Sequence, residues 1–280
     1  MPASRVPATR RPAVAGLFYP DSAANLGQAV DALLATARAY VANPAPKAVI
    51  APHAAFAYSG PVAAAAYARL RPLRGSVRRV ILLGPAHRVP FEGLALPGAT
   101  AYRTPLGDVP IDAAAIDRIK GLAQVRDLPD AHATEHSLEV QVPFLQRVFT
   151  NFTLVPIVVG DAAPESVAAV IEALWGGPET VIVVSSDLSH YQPYLVARTR
   201  DRRTAEAIER LDERGIGPED ACGCVPIAGL LQAARAHGLE CARLDLRNSE
   251  DTSGSGGMGG ARDVVGYGAW AFVKPVIAAA

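Results

Sequence analysis

Three cysteines in 280 residues are too few for a disulfide framework, and one short of a structural zinc site held by four of them. No apolar run approaches the roughly 18 residues that a membrane span needs. An excess of one charge is also missing: Lys and Arg match Asp and Glu at 27 each, and the basic residues are scattered. That leaves no electrostatic footprint for a nucleic acid. Arg5, Arg10 and Arg11 precede only a short apolar stretch that stops at Tyr19-Pro20, whereas the apolar part of a signal peptide is longer and unbroken. These absences predict a cytoplasmic protein that engages neither membrane nor nucleic acid.

What is present is a repeated phrase. Arg79-Val80-Ile81-Leu82-Leu83-Gly84-Pro85-Ala86-His87 runs from apolar residues through Gly-Pro to a histidine. Ala48-Val49-Ile50-Ala51-Pro52-His53 does the same, and Val181-Ile182-Val183-Val184 leads through Ser185-Ser186 to Asp187 and His190. Short unbroken apolar runs bounded by turn residues read as strands buried on both faces, as in parallel sheets. Their carboxyl ends are where open α/β sheets place ligands. Three of the six histidines stand in this register, which packing alone explains poorly.

Half of the residues are hydrophobic, enough for a sizeable core. Strand and helix patterns alternate from end to end without a linker, so the chain is expected to be one α/β domain, 1–280, with a largely parallel central sheet flanked by helices. Residues 1–12 are expected to form a loose arm. Helices are predicted over about 23–40, 61–70, 112–122, 164–175, 204–214 and 224–237, with one amphipathic helix continuing from the polar stretch 130–139 to about 149. Residues 90–107 read as irregular. Further strands are predicted at 154–160, 242–246 and 264–273, with a flexible Gly/Ser loop at 254–260.

Four constellations could carry chemistry. His53 and His87 fit as two ligands of a transition metal, with Cys222, Glu135, His136 or His190 as the third; two histidines and an anionic ligand with open positions is a non-haem iron pattern. Cys222 lies near a helix N-terminus, which predicts a lowered pKa and partial thiolate. His132-Ala133-Thr134-Glu135-His136 matches the H-x-x-E-H of inverted zinc peptidases. A helix starting inside that motif would keep its two histidines off one face, leaving His136 and Glu139 pointing into a cleft. Ser185, Asp187 and His190 permit a hydrolase triad, but no serine sits in a G-x-S-x-G elbow; Asp187 and His190 fit better as groups that move protons or orient a ligand.

Taken together, Gly16-Leu17-Phe18-Tyr19-Pro20, Ala51-Pro52-His53-Ala54, Tyr58-Ser59-Gly60, Leu83-Gly84-Pro85-Ala86-His87, Tyr102-Arg103-Thr104-Pro105-Leu106-Gly107, Glu135-His136-Ser137-Leu138-Glu139, Ser185-Ser186-Asp187-Leu188-Ser189-His190-Tyr191, Cys222-Gly223 and Val264-Val265-Gly266-Tyr267 resemble the Memo family, component B of the AmmeMemoRadiSam system. Ala55-Phe56 stands where that family usually has Gly-Tyr. The resemblance implies a fold similar to class III extradiol dioxygenases and a metal site of His53, His87 and Cys222, holding iron or, alternatively, copper. His136, Asp187 and His190 would shape the pocket, with His190 or His136 as acid/base. It further implies oxygen-dependent oxidation of a small substrate and a functional link to a radical-SAM protein. The alternative function is a metal- or peptide-binding protein without turnover, with a peptide docked in the cleft.

Overall fold

The computed structural model describes residues 9–37, 44–253 and 263–275. Eight strands form one sheet: β1 (Ala48–Ala51), β2 (Arg79–Pro85), β3 (Leu94–Leu96), β4 (Val125–Asp127), β5 (Thr153–Val159), β6 (Thr180–Ser185), β7 (Glu240–Asn248) and β8 (Gly266–Val273). Their order across the sheet is β7-β8-β1-β6-β2-β5-β3-β4. The four central strands β1, β6, β2 and β5 are mutually parallel, while β7, β8 and β3 join antiparallel. The expected single α/β domain with a largely parallel sheet is therefore what the chain adopts.

Side chains alternate between the faces of a strand, and here the alternation sorts the apolar residues into two cores. Val49, Val80, Leu82, Val181 and Val183 enter one core; Ile50, Ile81, Leu83, Ile182 and Val184 enter the other. The first face is covered by α1 (Ala23–Thr36), α2 (Phe56–Leu70) and α5 (Val142–Val148). The second is covered by α3 (Ala113–Ile119), α6 (Pro164–Leu174), α7 (Tyr194–Glu209) and α8 (Cys224–Ala236). Both faces are buried, so the central strands can be apolar throughout.

Several boundaries differ from the sequence expectation. The Ser22 side chain caps α1, but the helix ends at Thr36; the expected continuation over 38–40 and the loop 254–260 lie outside the described residues, as do residues 1–8 of the arm. Thr9–Arg10 is not loose: it pairs with Ala101–Thr104, and Arg10 is buried. Helix α2 starts at Phe56, five positions before the predicted start, with Pro61 inside it. The missing Pro61 N–H leaves the Ala57 carbonyl without its helical donor, but Ala57 is exposed, so water can take its place. Helix α7 starts at Tyr194 rather than 204: of its first ten residues only Ala197 and Asp201 are buried, while Leu195 and Val196 are exposed, so no apolar stripe marks these turns in the sequence. The stretch expected to be irregular holds β3 and a hairpin of Ala101–Thr104 with Gly107–Pro110. The long helix expected through 130–149 is broken into α4 (Pro129–Ala133), a 3-10 turn Glu139–Gln141, and α5.

Candidate metal centre

His53, Asp187 and His87 each stand two residues beyond the end of their strand, and β1, β6 and β2 are adjacent and parallel. Sheet geometry therefore delivers all three to one edge. The proton on each histidine follows from its partners. His53 Nδ1 lies 2.8 Å from Ser185 Oγ. That hydroxyl already donates to the Ser137 carbonyl at 2.6 Å and accepts from Gln141 Nε2 at 2.7 Å. With its one proton committed, Ser185 can only accept from His53, so Nδ1 carries the hydrogen and Nε2 presents a lone pair. His87 Nδ1 lies 2.8 Å from Glu135 Oε1, and the carboxylate again requires Nδ1–H. Glu135 also accepts the backbone N–H groups of His87, His136 and Ser137. Burial alone would raise this carboxyl, but the His87 hydrogen bond and charge and the backbone donors pull it down to about 2.

His136 completes the group. Its ring stacks on His87 at 4.7 Å and meets the edges of His53 at 5.5 Å and Phe18 at 4.9 Å. One ring nitrogen from each of His53, His87 and His136 lies within 4.8 Å of the others. Burial holds His136 down at about 4 and His53 well below its ordinary value, with the neighbouring histidines adding to the latter effect. Both are thus neutral at pH 7, the state a metal requires. Among the described residues His136 Nδ1 is buried without a hydrogen bond; Glu135 Oε1 is 3.3 Å away but off the angle a hydrogen bond needs. Gly84 makes room for this stretch: a Cβ there would fall 2.9 Å from both Leu138 Cδ2 and Ser137 Oγ.

A family model described as Memo-like protein matches residues 10–270. The chain belongs to the Memo-like family. It is 33% identical to a MEMO1 family protein of Metallosphaera sedula, over 92% of this chain and 97% of that one. It is 35% identical to the MEMO1 family protein MTH_45 of Methanothermobacter thermautotrophicus, over 92% and 98%. Among solved structures, the crystal structure of uncharacterized protein JW3007 from Escherichia coli K12 is similar in fold, with a TM-score of 0.50 and 15% identity over 79% of this chain and 98% of that one.

In this Memo-like chain Cys222 joins the cluster through His53: its Sγ is 3.4 Å from His53 Nε2. Gly223 permits the approach, since a Cβ there would lie 2.7 Å from Ser186 Cβ and 3.0 Å from the Ser185 carbonyl. The expected lowering of the Cys222 pKa does not occur. Burial pushes the thiol well up, and the charge of Asp187 adds to the rise. Helix α8 begins two residues further on, and its N-terminus does not outweigh either effect. Asp187 is buried and accepts the backbone N–H of His53 at 2.7 Å; burial raises it to about 7 against that bond and the one from the Ala54 N–H. It orients the His53 segment. His190 is half-buried and outside the three-ring group, though its charge reaches His53.

The two histidines of the H-x-x-E-H motif do separate, but because α4 ends at Ala133 inside the motif, not because a helix starts there. His132 is buried in α4, where its Nδ1 faces the Tyr102 hydroxyl at 2.6 Å and its Nε2 the Ala95 carbonyl at 2.8 Å. Glu135 turns out to be the clamp on His87, a role that H-x-x-E-H spacing does not announce. The residues fit a transition metal: two histidines with fixed Nδ1–H tautomers leave Nε2 free, a third neutral histidine adjoins them, and a thiol touches the group. Among the described residues no helix is long and apolar enough to cross a membrane.

Proposed function

We propose that the protein binds one iron ion, or alternatively copper, at the carboxyl edge of the parallel strands and uses it for oxygen-dependent oxidation of a small substrate. The observation that carries this reading is the pair of imidazoles, His53 and His87, whose Nδ1 protons are fixed by Ser185 and Glu135. Cys222 supplies an anionic third ligand when it loses its proton. When bound, iron or copper would supply the one-electron chemistry that no side chain here provides.

The remaining residues bind, orient and move protons. Glu135 and Ser185 hold the two ligand rings. Asp187 ties the His53 backbone to the end of β6. His136, neutral and without a hydrogen bond at Nδ1, can take up a proton there, and His190 at the edge of the cluster is a second proton carrier. Phe18 shields the His136 ring on one side.

The test is elemental analysis of protein purified without oxygen, for the native chain and for His53→Ala, His87→Ala, His136→Ala and Cys222→Ser, followed by oxygen uptake with candidate catechols. Near-stoichiometric iron or copper, lost in the His53, His87 and Cys222 variants and kept in His136→Ala, supports the ligand set. Metal lost in His136→Ala and kept in Cys222→Ser replaces the thiol by a third histidine. Metal uptake without oxygen consumption by any substrate favours the binding protein without turnover, and no metal in the reconstituted native chain sinks the reading.

A further inference from the structure

His87 and Cys222 line a cavity of about 320 Å³. The residue after His87 is Arg88, and it lines the same cavity. Arg88 is exposed and forms no hydrogen bond or ion pair with the described residues. An exposed arginine on an open surface is ordinary; one without a partner, in a cavity with two proposed metal ligands, is not. Its charge is also felt at the His136 ring. The rest of the wall is largely apolar, with Phe91 and Pro226 on it. One acidic residue, Asp161, is there too, exposed and in no ion pair with Arg88.

We propose that Arg88 makes this cavity a recognition site for small organic carboxylates, the carboxylate lying on the guanidinium and the apolar body against Phe91 and Pro226. The planar guanidinium matches a carboxylate with two parallel N–H donors. Among the described residues that line the cavity Arg88 is the single such cation, and Asp161 offsets a second negative charge, so a monoanion fits better than a phosphate dianion. The proposal rests on reading this cavity as the substrate compartment of the metal centre, and names the class of substrate it takes.

The test uses benzoate, its neutral analogue benzamide, and phenyl phosphate as probes. Their binding is followed by NMR titration of the full chain, both chelator-treated and metal-loaded. Arg88→Gln and Arg88→Lys are compared with native protein, with metal content and thermal midpoint measured on each. The expected result for metal-free native protein is benzoate bound about tenfold or more tighter than benzamide. That preference is lost in Arg88→Gln and partly kept in Arg88→Lys, with folding and metal content unchanged. Working metal-free removes direct ligation of the probe by the metal. A native chain without the preference, a preference that survives in Arg88→Gln, or phenyl phosphate bound more tightly than benzoate overturns the proposal. Metal uptake with no carboxylate preference defeats this inference alone. A carboxylate preference that depends on Arg88 in a chain that takes up no metal defeats the metal reading alone.

Discussion

Glu135 grips His87 twice, at the backbone N–H by 2.6 Å and at Nδ1–H by 2.8 Å. The two bonds fix both where the histidine sits and which nitrogen it offers. Glu135→Gln puts an amide where the carboxylate accepts four donors, and weakens the preference for the Nδ1–H tautomer. Outer partners of this kind typically contribute 10- to 100-fold to metal affinity. Glu135→Gln is therefore expected to bind iron or a cobalt surrogate about tenfold or more weakly, read by competition with a chromogenic chelator. Unchanged affinity would remove Glu135 from the metal site.

Proton release on metal binding distinguishes the thiol from the histidines. The His53 and His136 rings are already neutral at pH 7, so they release nothing when a metal binds. Cys222 is protonated, because burial and Asp187 push its pKa up. Adding metal to weakly buffered protein near pH 7.5 should release about one proton more from the native chain than from Cys222→Ser. Equal release from both would mean that the thiol stays protonated beside the metal.

His132 belongs to stability rather than to the site. Burial lowers its pKa from 6.5 to about 4, so the unfolded chain takes the proton first as pH falls. Its contribution is full above about pH 6.5 and is lost as pH drops from there through about 4. His132→Asn is expected to lose on the order of 1–3 kcal/mol, from the broken bonds to Tyr102 and Ala95, and to show a shallower decline between pH 6.5 and 4. Its metal content should match the native chain. Loss of metal without loss of stability would restore the peptidase-like reading of the motif.

Arg10 anchors the N-terminal strand to the loop that carries the site. Its guanidinium pairs with the buried Glu139 carboxylate and donates to the carbonyls of His132 and Glu135. Glu139 in turn accepts Ala13 N–H, Val14 N–H and the Tyr19 hydroxyl. Removing one partner leaves a buried charge uncompensated, at a cost of about 3–5 kcal/mol. Arg10→Met should lower stability by that order in urea denaturation and also loosen metal retention, since residues 132–139 lose their tether. A native-like unfolding midpoint would contradict the tether.

The strand-end histidines were legible because apolar run, turn residue and His repeat within a few positions of each other, and the parallel sheet keeps that register in space. His132 and His136 are separated by the end of α4 at Ala133, where the sequence suggests a helix start. The roles of Glu135 and Arg10 were not legible, since each acts on a partner 48 or more positions away and periodicity says nothing about such pairs. The sign of the Cys222 shift is not legible, because the sequence shows a nearby helix start but neither the burial of the sulfur nor the charge of Asp187 beside it. The start of helix α7 is not legible, because its first apolar residues, Leu195 and Val196, face solvent and the charged run 198–203 that follows shows no apolar stripe.

Cys222 and His53 are 169 positions apart, and the remaining donors and clamps come from three further stretches, around His87, Glu135-His136 and Ser185. No fragment that lacks the second half of the sheet owns the whole of the proposed ligand set, and a collapsed chain with a misplaced β6 would not bring His53 to Cys222. A metal that prefers the full set adds its binding energy only to the finished fold. On the proposed metal reading, occupancy serves as an assay of native assembly: a population that has folded its first core but not seated α8 would be found in the metal-free fraction.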